Sequence, residues 1–205
     1  MIKQLALTTT ILALAIAASY AGYLIATPPA STIEFNAPAV SEDGRGVMIP
    51  FKLSIKPGEG RLLVNIAQTS FKADVENSLR KAKANAEKFM SVSLQHADLI
   101  VEAQPQQKIV GGESAGAAFT IAIISLYSGH ALNNQATVSA TINENGDIGE
   151  VDGIEEKIIA AREAGKTTFV VSKQQKIKSE ESLRHLGIQI IRASNITEAA
   201  QHLLS

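Results

Sequence analysis

The sequence predicts an α/β (α+β) domain of mixed sheets with packed helices, preceded by one N-terminal transmembrane helix. Three observations predict it. Val47, Ile49, Phe51, Leu53 and Ile55 alternate with Met48, Pro50, Lys52, Ser54 and Lys56, the period-two pattern of a half-buried strand. Residues near 73–90 and 154–164 space their apolar side chains by threes and fours, the pattern of amphipathic helices. Residues Leu5 to Ala26 carry no charge, about the ~20 residues a helix needs to span a bilayer. With 205 residues and a hydrophobic fraction of 45%, the chain has room for one domain with a real core plus an appendage.

The elements follow in order. Residues 1–27 read as a membrane anchor. The competing reading is a cleaved signal peptide, for which Ser19-Tyr20-Ala21 is a passable site; against it, the apolar run continues to Ile25, long for a signal core. Lys3 lies before the span and Glu34, Glu42 and Asp43 after it. The positive-inside rule then places the N-terminus in the cytoplasm and the remainder outside. If the segment is cleaved, the product is secreted or periplasmic. Residues 28–33, with Pro28-Pro29, read as a short stiff linker, and 34–205 as the globular domain.

Within that domain, Pro50 suggests an edge position or a bulge in the first strand. Pro57-Gly58-Glu59-Gly60 is a turn, and Leu62–Ala67 reads as the returning strand of a hairpin. A helix is expected from Ala73 to Met90, with Asp74 in its first turn. Asp98–Ala103 reads as a strand and Gln104–Lys108 as a polar loop. Phe119–Tyr127 is an apolar helix with no polar face beyond Thr120, Ser125 and Ser128, hence buried, and Gly129 ends it. A strand at Ala136–Ile142 and a turn at Asn145-Gly146 come next. Then follow a helix from Ile154 to Ala164 stopped by Gly165, a strand at Thr168–Ser172, a short helix at Ser179–Leu186, a strand at Ile188–Ile191 and a closing helix at Ile196–Leu204. Asn195 with Glu198 resembles a capping box. Strands alternating with helices after an opening hairpin predict a mixed sheet.

Composition removes several chemistries. The net charge is −1, and no basic stripe with interleaved aromatics offers a nucleic-acid surface. Cysteine is absent, which excludes thiol catalysis, disulfides and Cys-ligated zinc. His96, His130, His185 and His202 fall in no triad motif and in no metal spacing such as H-E-x-x-H. No cofactor or metal is expected.

One stretch offers chemistry. Gly111-Gly112-Glu113-Ser114-Ala115-Gly116-Ala117-Ala118 is a small-residue turn entering an apolar helix. The first N–H groups of such a helix lack partners and favour negative charge. Glycine and alanine let a substrate backbone approach. The bland alternative is a tight turn with Ser114 as N-cap. A second candidate lies on the helix at Ile154–Ala164. On a wheel of about 100° per residue, Glu155, Glu156, Arg162 and Glu163 share one side, and Lys157 falls with Ile154, Ile158, Ala161 and Ala164. A core-facing lysine loses proton affinity by desolvation, and a neutral amine can take a proton from a serine hydroxyl. Ser114 and Lys157 make a Ser–Lys pair if the fold brings them together.

These residues resemble the proteolytic domain of the Lon proteases. Gly112-Glu113-Ser114-Ala115-Gly116 is similar to the family's G-P-S-A-G nucleophile motif, in the variant with an acidic residue before the serine found in archaeal membrane-bound members. Gly153-Ile154-Glu155-Glu156-Lys157-Ile158-Ile159-Ala160-Ala161 is similar to its second motif: glycine, three residues, lysine, two residues, Ala-Ala. The resemblance runs on through Ala164-Gly165-Lys166 to Phe169-Val170-Val171 and covers about Gly46 to the C-terminus. It implies a Lon-like fold with Ser114 as nucleophile and Lys157 as general base. The family's threonine-glycine pair between the motifs matches Ser139-Ala140, so Ser139 would support the lysine. Backbone N–H groups of Glu113 and Ser114 would hold the oxyanion.

The sequence departs from the family at Asp152, where glycine is usual, and at Glu113. The histidines that precede the nucleophile in bacterial members are absent. No G-x-x-x-x-G-K-[ST] run occurs: before Gly165-Lys166-Thr167, Ala160 stands where the first glycine is required. The resemblance implies an ATP-independent serine endopeptidase acting on flexible proteins or peptides, tethered to a membrane and assembled as a homo-oligomeric ring, as in the family's hexamers. Two alternatives stay open: a non-catalytic oligomeric binding module of the same fold, and a phosphate-binding domain like the sugar and mevalonate kinases, which need more chain than is present.

Overall fold

A computed structural model describes residues 30–205. The expected anchor and the N-terminal part of the expected linker lie outside the described residues. Among the described residues, no helix is long and apolar enough to cross a membrane.

Among the described residues, two sheets, a two-stranded ribbon and five α-helices make the fold. The larger sheet has the strand order β3-β4-β2-β1-β5, from β1 (Ser31–Ser41), β2 (Gly46–Pro57), β3 (Leu62–Asn65), β4 (Ala97–Ala103) and β5 (Ile109–Val110). It is mixed, as expected: β3 runs parallel to β4 and the other pairs are antiparallel. The smaller sheet is parallel, in the order β10-β9-β6, from β6 (Ala136–Val138), β9 (Thr168–Ser172) and β10 (Gln189–Ala193). A separate ribbon pairs β7 (Thr141–Ile142) with β8 (Ile148–Gly149). The helices are α1 (Thr69–Met90), α2 (Gly116–Ser128), α3 (Ile154–Glu163), α4 (Glu180–His185) and α5 (Ile196–Leu203).

The first hairpin is not the expected one. β1 was not among the expected elements, yet it pairs with β2 along nearly its whole length. Its Ile33, Phe35, Ala37 and Ala39 alternate with Thr32, Glu34, Asn36 and Pro38. β3 does not return beside β2; β4 lies between them. The Pro57–Gly60 turn wraps instead around Asp98 of β4. Asp98 Oδ1 accepts the N–H groups of Glu59 (2.9 Å) and Arg61 (3.0 Å), and Oδ2 accepts from the Arg61 guanidinium (2.7 Å). That guanidinium holds the buried Asp98 carboxyl below the usual carboxylate range. The turn thus carries the chain across β4 to its far side. Pro50 stands opposite Asn36, one residue before the β4 ladder begins at Phe51. It therefore occupies the part of β2 paired on one side only.

Helix α2 is the centre of the core. Every residue from Gly116 to Ser125 is buried. Its hydroxyls are satisfied locally: Thr120 donates to the Gly116 carbonyl and Ser128 to that of Ile124. Phe119 packs edge-on against Phe51, ring centres 5.0 Å apart, and against Phe35 at 5.8 Å. Helix α1 buries Phe71, Val75, Leu79, Ala82 and Ala86. It begins at Thr69, four residues earlier than expected. The Gln68 side chain fixes that start by donating to the Gln107 carbonyl and accepting the Ile109 N–H. Asp74 therefore lies beyond the first turn, which holds no acidic residue. A second core, of Ile154, Ile158, Phe169, Val171, Leu183 and Ile190 among others, joins α3 and α4 to the smaller sheet. The Asn195 side chain caps α5 by accepting the Glu198 N–H, while the Glu198 carboxylate reaches back to the Ser194 N–H.

The expected strand at Ala136–Ile142 is broken at Ser139-Ala140. The Ser139 N–H bonds back to the Val170 carbonyl, and the Ala140 N–H and C=O turn the other way, to the Ser114 carbonyl and the Ala117 N–H. This break ties the smaller sheet to the start of α2.

Candidate active site

The segment before α2 follows from its small residues. Gly111 has φ +70°, which favours glycine. Gly112 packs on α1, where an added Cβ would lie 2.7 Å from the Asp74 Cβ. Its carbonyl accepts from the Ser78 hydroxyl and the Ala115 N–H. Glu113–Ala115 then form a single 3₁₀ turn. The N–H groups of Glu113 and Ser114 open that turn, where helical donors lack intrahelical partners. Ser114 is half-buried. It is not the N-cap of α2; Ala115 holds that position and no side chain caps the helix. Among the described residues, nothing hydrogen-bonds the Ser114 hydroxyl.

Helix α3 presents Lys157 as the wheel predicts. Its N-cap is Gly153, at φ +60°, where a Cβ would lie 2.5 Å from a methyl of Val40. The preceding loop is clasped by Gln175, whose amide accepts the Val151 N–H (2.8 Å) and donates to the Val151 carbonyl (3.1 Å). One turn in, Lys157 is only 5% exposed, among the buried Ile154, Ile158 and Ala161. Desolvation lowers its ammonium to a pKa of about 8, against the opposing pull of the Asp152 and Glu156 carboxylates.

Ser114 and Lys157 line one cleft of about 640 Å³. Its walls come from the β1–β2 turn, the Val110–Ser114 segment, Asp74, Thr141 and the Glu150–Gly153 loop. No hydrogen bond joins Ser114 to Lys157; such bonds are often long without substrate and tighten on binding. Ser139 is fully buried and does not line the cleft. Its hydroxyl is the one buried side-chain polar atom without a hydrogen-bond partner among the described residues, and it makes no bond to Lys157. Among the described residues, no group of acidic or histidine side chains could hold a metal ion.

Two parts of the wall, and one residue behind it, escaped the sequence reading. The Val40–Gly44 stretch arrives through β1. Asp74 arrives because α1 begins early, so it sits on the second turn with its Cβ against Gly112. Gln175 acts through a contact spanning 24 residues, for which no local signal exists; the alternation of β1 is the one signal that could have been used.

Comparison with known proteins adds a family. A model of the Lon protease (S16) C-terminal proteolytic domain matches residues 46–205. The archaeal Lon protease of Archaeoglobus fulgidus is 24% identical over 174 residues, covering 82% of this chain and 28% of the relative. Lon protease 1 of Bacillus subtilis is 26% identical, covering 78% and 21%. The Lon protease of Mycoplasma genitalium is 29% identical, covering 74% and 19%. The chain spans less than a third of the length of these relatives.

Proposed function

The chain belongs to the Lon protease (S16) C-terminal proteolytic-domain family, and from that premise we propose that it hydrolyses peptide bonds with Ser114 as nucleophile and Lys157 as general base. One observation carries the proposal: a buried lysine, with a pKa of about 8, lines the same cleft as a serine whose hydroxyl has no hydrogen-bond partner among the described residues. A neutral Lys157 amine takes the Ser114 proton as Oγ attacks the scissile carbonyl. The N–H groups of Glu113 and Ser114 face the developing oxyanion; losing one such donor typically costs about 10²–10³ in rate. The C–N bond then breaks, and the Lys157 ammonium returns the proton to the leaving amine. Water next attacks the acyl-enzyme, giving a proton to Lys157; the bond between the acyl carbon and Ser114 Oγ breaks, Oγ takes that proton back from Lys157, and the carboxylic acid product leaves. Ser139, through its otherwise unpaired hydroxyl, supports the lysine once the site tightens around substrate.

The proposal extends to setting. Hydrolysis by this chain needs no ATP, so its substrates are peptides or already flexible proteins. Residues 1–27 anchor the domain to a membrane with the cleft on the extracytoplasmic side, and copies assemble in a ring. Five carboxylates line the cleft, from Glu42, Asp74, Glu113, Glu150 and Asp152; they disfavour a phosphate there and with it the kinase-like alternative. The test is cleavage of casein and of a quenched peptide by the full chain without nucleotide. Wild type is expected to cleave both, and Ser114→Ala and Lys157→Met to lose at least about 10³ of the rate while keeping the fold. A fully active Lys157→Met protein overturns the dyad.

A further inference from the structure

We propose that the cleft selects peptide segments carrying lysine or arginine beside the scissile bond, through Glu113 and Asp74. This rests on the hydrolase reading above and adds its substrate class. The whole chain is nearly neutral, with a net charge of −1, but the cleft wall is not: five carboxylates face one lysine. Three of the five are engaged. Glu42 is paired with the Lys108 ammonium at 2.6 Å. Glu150 accepts the Lys176 N–H. Asp152 acts on Lys157. Glu113 and Asp74 have no cationic partner among the described residues.

Both line the cleft beside the nucleophile turn. Glu113 is exposed and immediately precedes Ser114. Asp74 is half-buried with its Cβ against Gly112, two residues before the serine. The second observation is Lys157 itself, 5% exposed and lining the same cleft, with an ammonium that makes no hydrogen bond or ion pair among the described residues. It marks the place where the substrate must lie, and so sets the two carboxylates beside the bound chain. A cationic side chain entering there supplies the missing partner. An acidic one meets like charge on both sides of the nucleophile turn.

The full chain in detergent is first labelled with a fluorophosphonate, which reports an activated Ser114 without reference to peptide charge. Quenched peptides alike except for Lys, Gln or Glu on each side of the cleaved bond are then compared by kcat/KM. The Lys peptide is expected to exceed the Gln peptide about three- to ten-fold, the effect of one or two partly exposed ion pairs. Glu is expected to fall below Gln. The spread shrinks at about 0.5 M salt, where such pairs are screened. Asp74→Asn lowers the Lys-to-Glu ratio, and Asp74→Asn with Glu113→Gln brings the ratio close to one. Labelling on Ser114 with a flat or inverted ratio overturns the charge inference alone. Absence of labelling overturns the hydrolase reading and this inference with it.

Discussion

Replacing Lys157 by methionine is expected to abolish activity and to stabilise the fold. The lysine is held in an apolar layer with its pKa lowered from 10.5 to about 8. That difference corresponds to about 3 kcal/mol spent keeping a charge where it is poorly solvated. The sign follows from proton binding. Between pH 8 and 10.5 the unfolded chain binds a proton at this residue that the folded chain does not, so stability rises with pH across that window. Below pH 8 the penalty is present in full, and above 10.5 it is gone. Methionine keeps the length and the apolar stem without the charge, so Lys157→Met recovers up to about 3 kcal/mol at pH 6–7. In a domain of this size that raises Tm by about 6–12 °C. Thermal melts of both proteins by circular dichroism, at pH 6.5 and at pH above about 10, check it. A Lys157→Met protein that melts at or below wild type at pH 6.5, or whose advantage persists at alkaline pH, refutes the reasoning.

The remaining predictions concern how the proposed dyad is held. Because the base must be neutral, kcat/KM for a peptide should rise with pH to a plateau, with its midpoint near the Lys157 pKa of about 8; a rate that falls from pH 7 to 9 would contradict this. Gly46 faces the carbonyl of Glu156, where an added Cβ would lie 1.9 Å from the oxygen. Gly46→Ala must therefore push α3 away by more than about 1 Å, a misplacement that can cost about 10²-fold in rate; stopped assays beside a thermal melt separate lost activity from lost fold. Gln175→Ala removes both bonds to Val151 and should lower kcat more than it raises KM, with a modest loss of Tm, because the loop it clasps leads into α3.

Where the sequence was legible, the pattern was local. The alternation of Val47–Ile55, the largely apolar run at Phe119–Tyr127 and the periodicity around Lys157 each mark a surface buried by one element, and each appears as read. The two parts of the candidate site were legible for the same reason. A small-residue turn before a buried helix and a lysine on a core-facing stripe are visible without knowing what packs where. Long-range choices were not legible. Pro57–Gly60 looks like a hairpin turn until Asp98, 37 residues on from Arg61, draws it across β4. The break at Ser139-Ala140 depends on backbone bonds to Ser114 and Ala117 that only the folded chain supplies. Asp74, read as a helix-start residue, became part of the cleft because Gln68 starts α1 early.

The most direct test of the account is the location and genetics of one covalent adduct. The full chain, Ser114→Ala and Lys157→Met are each treated with a fluorophosphonate, digested and mapped by mass spectrometry. The account predicts an adduct on Ser114 in wild type that disappears in both variants. A folded wild-type protein that takes no adduct, or a Lys157→Met protein labelled as fast as wild type, would contradict it.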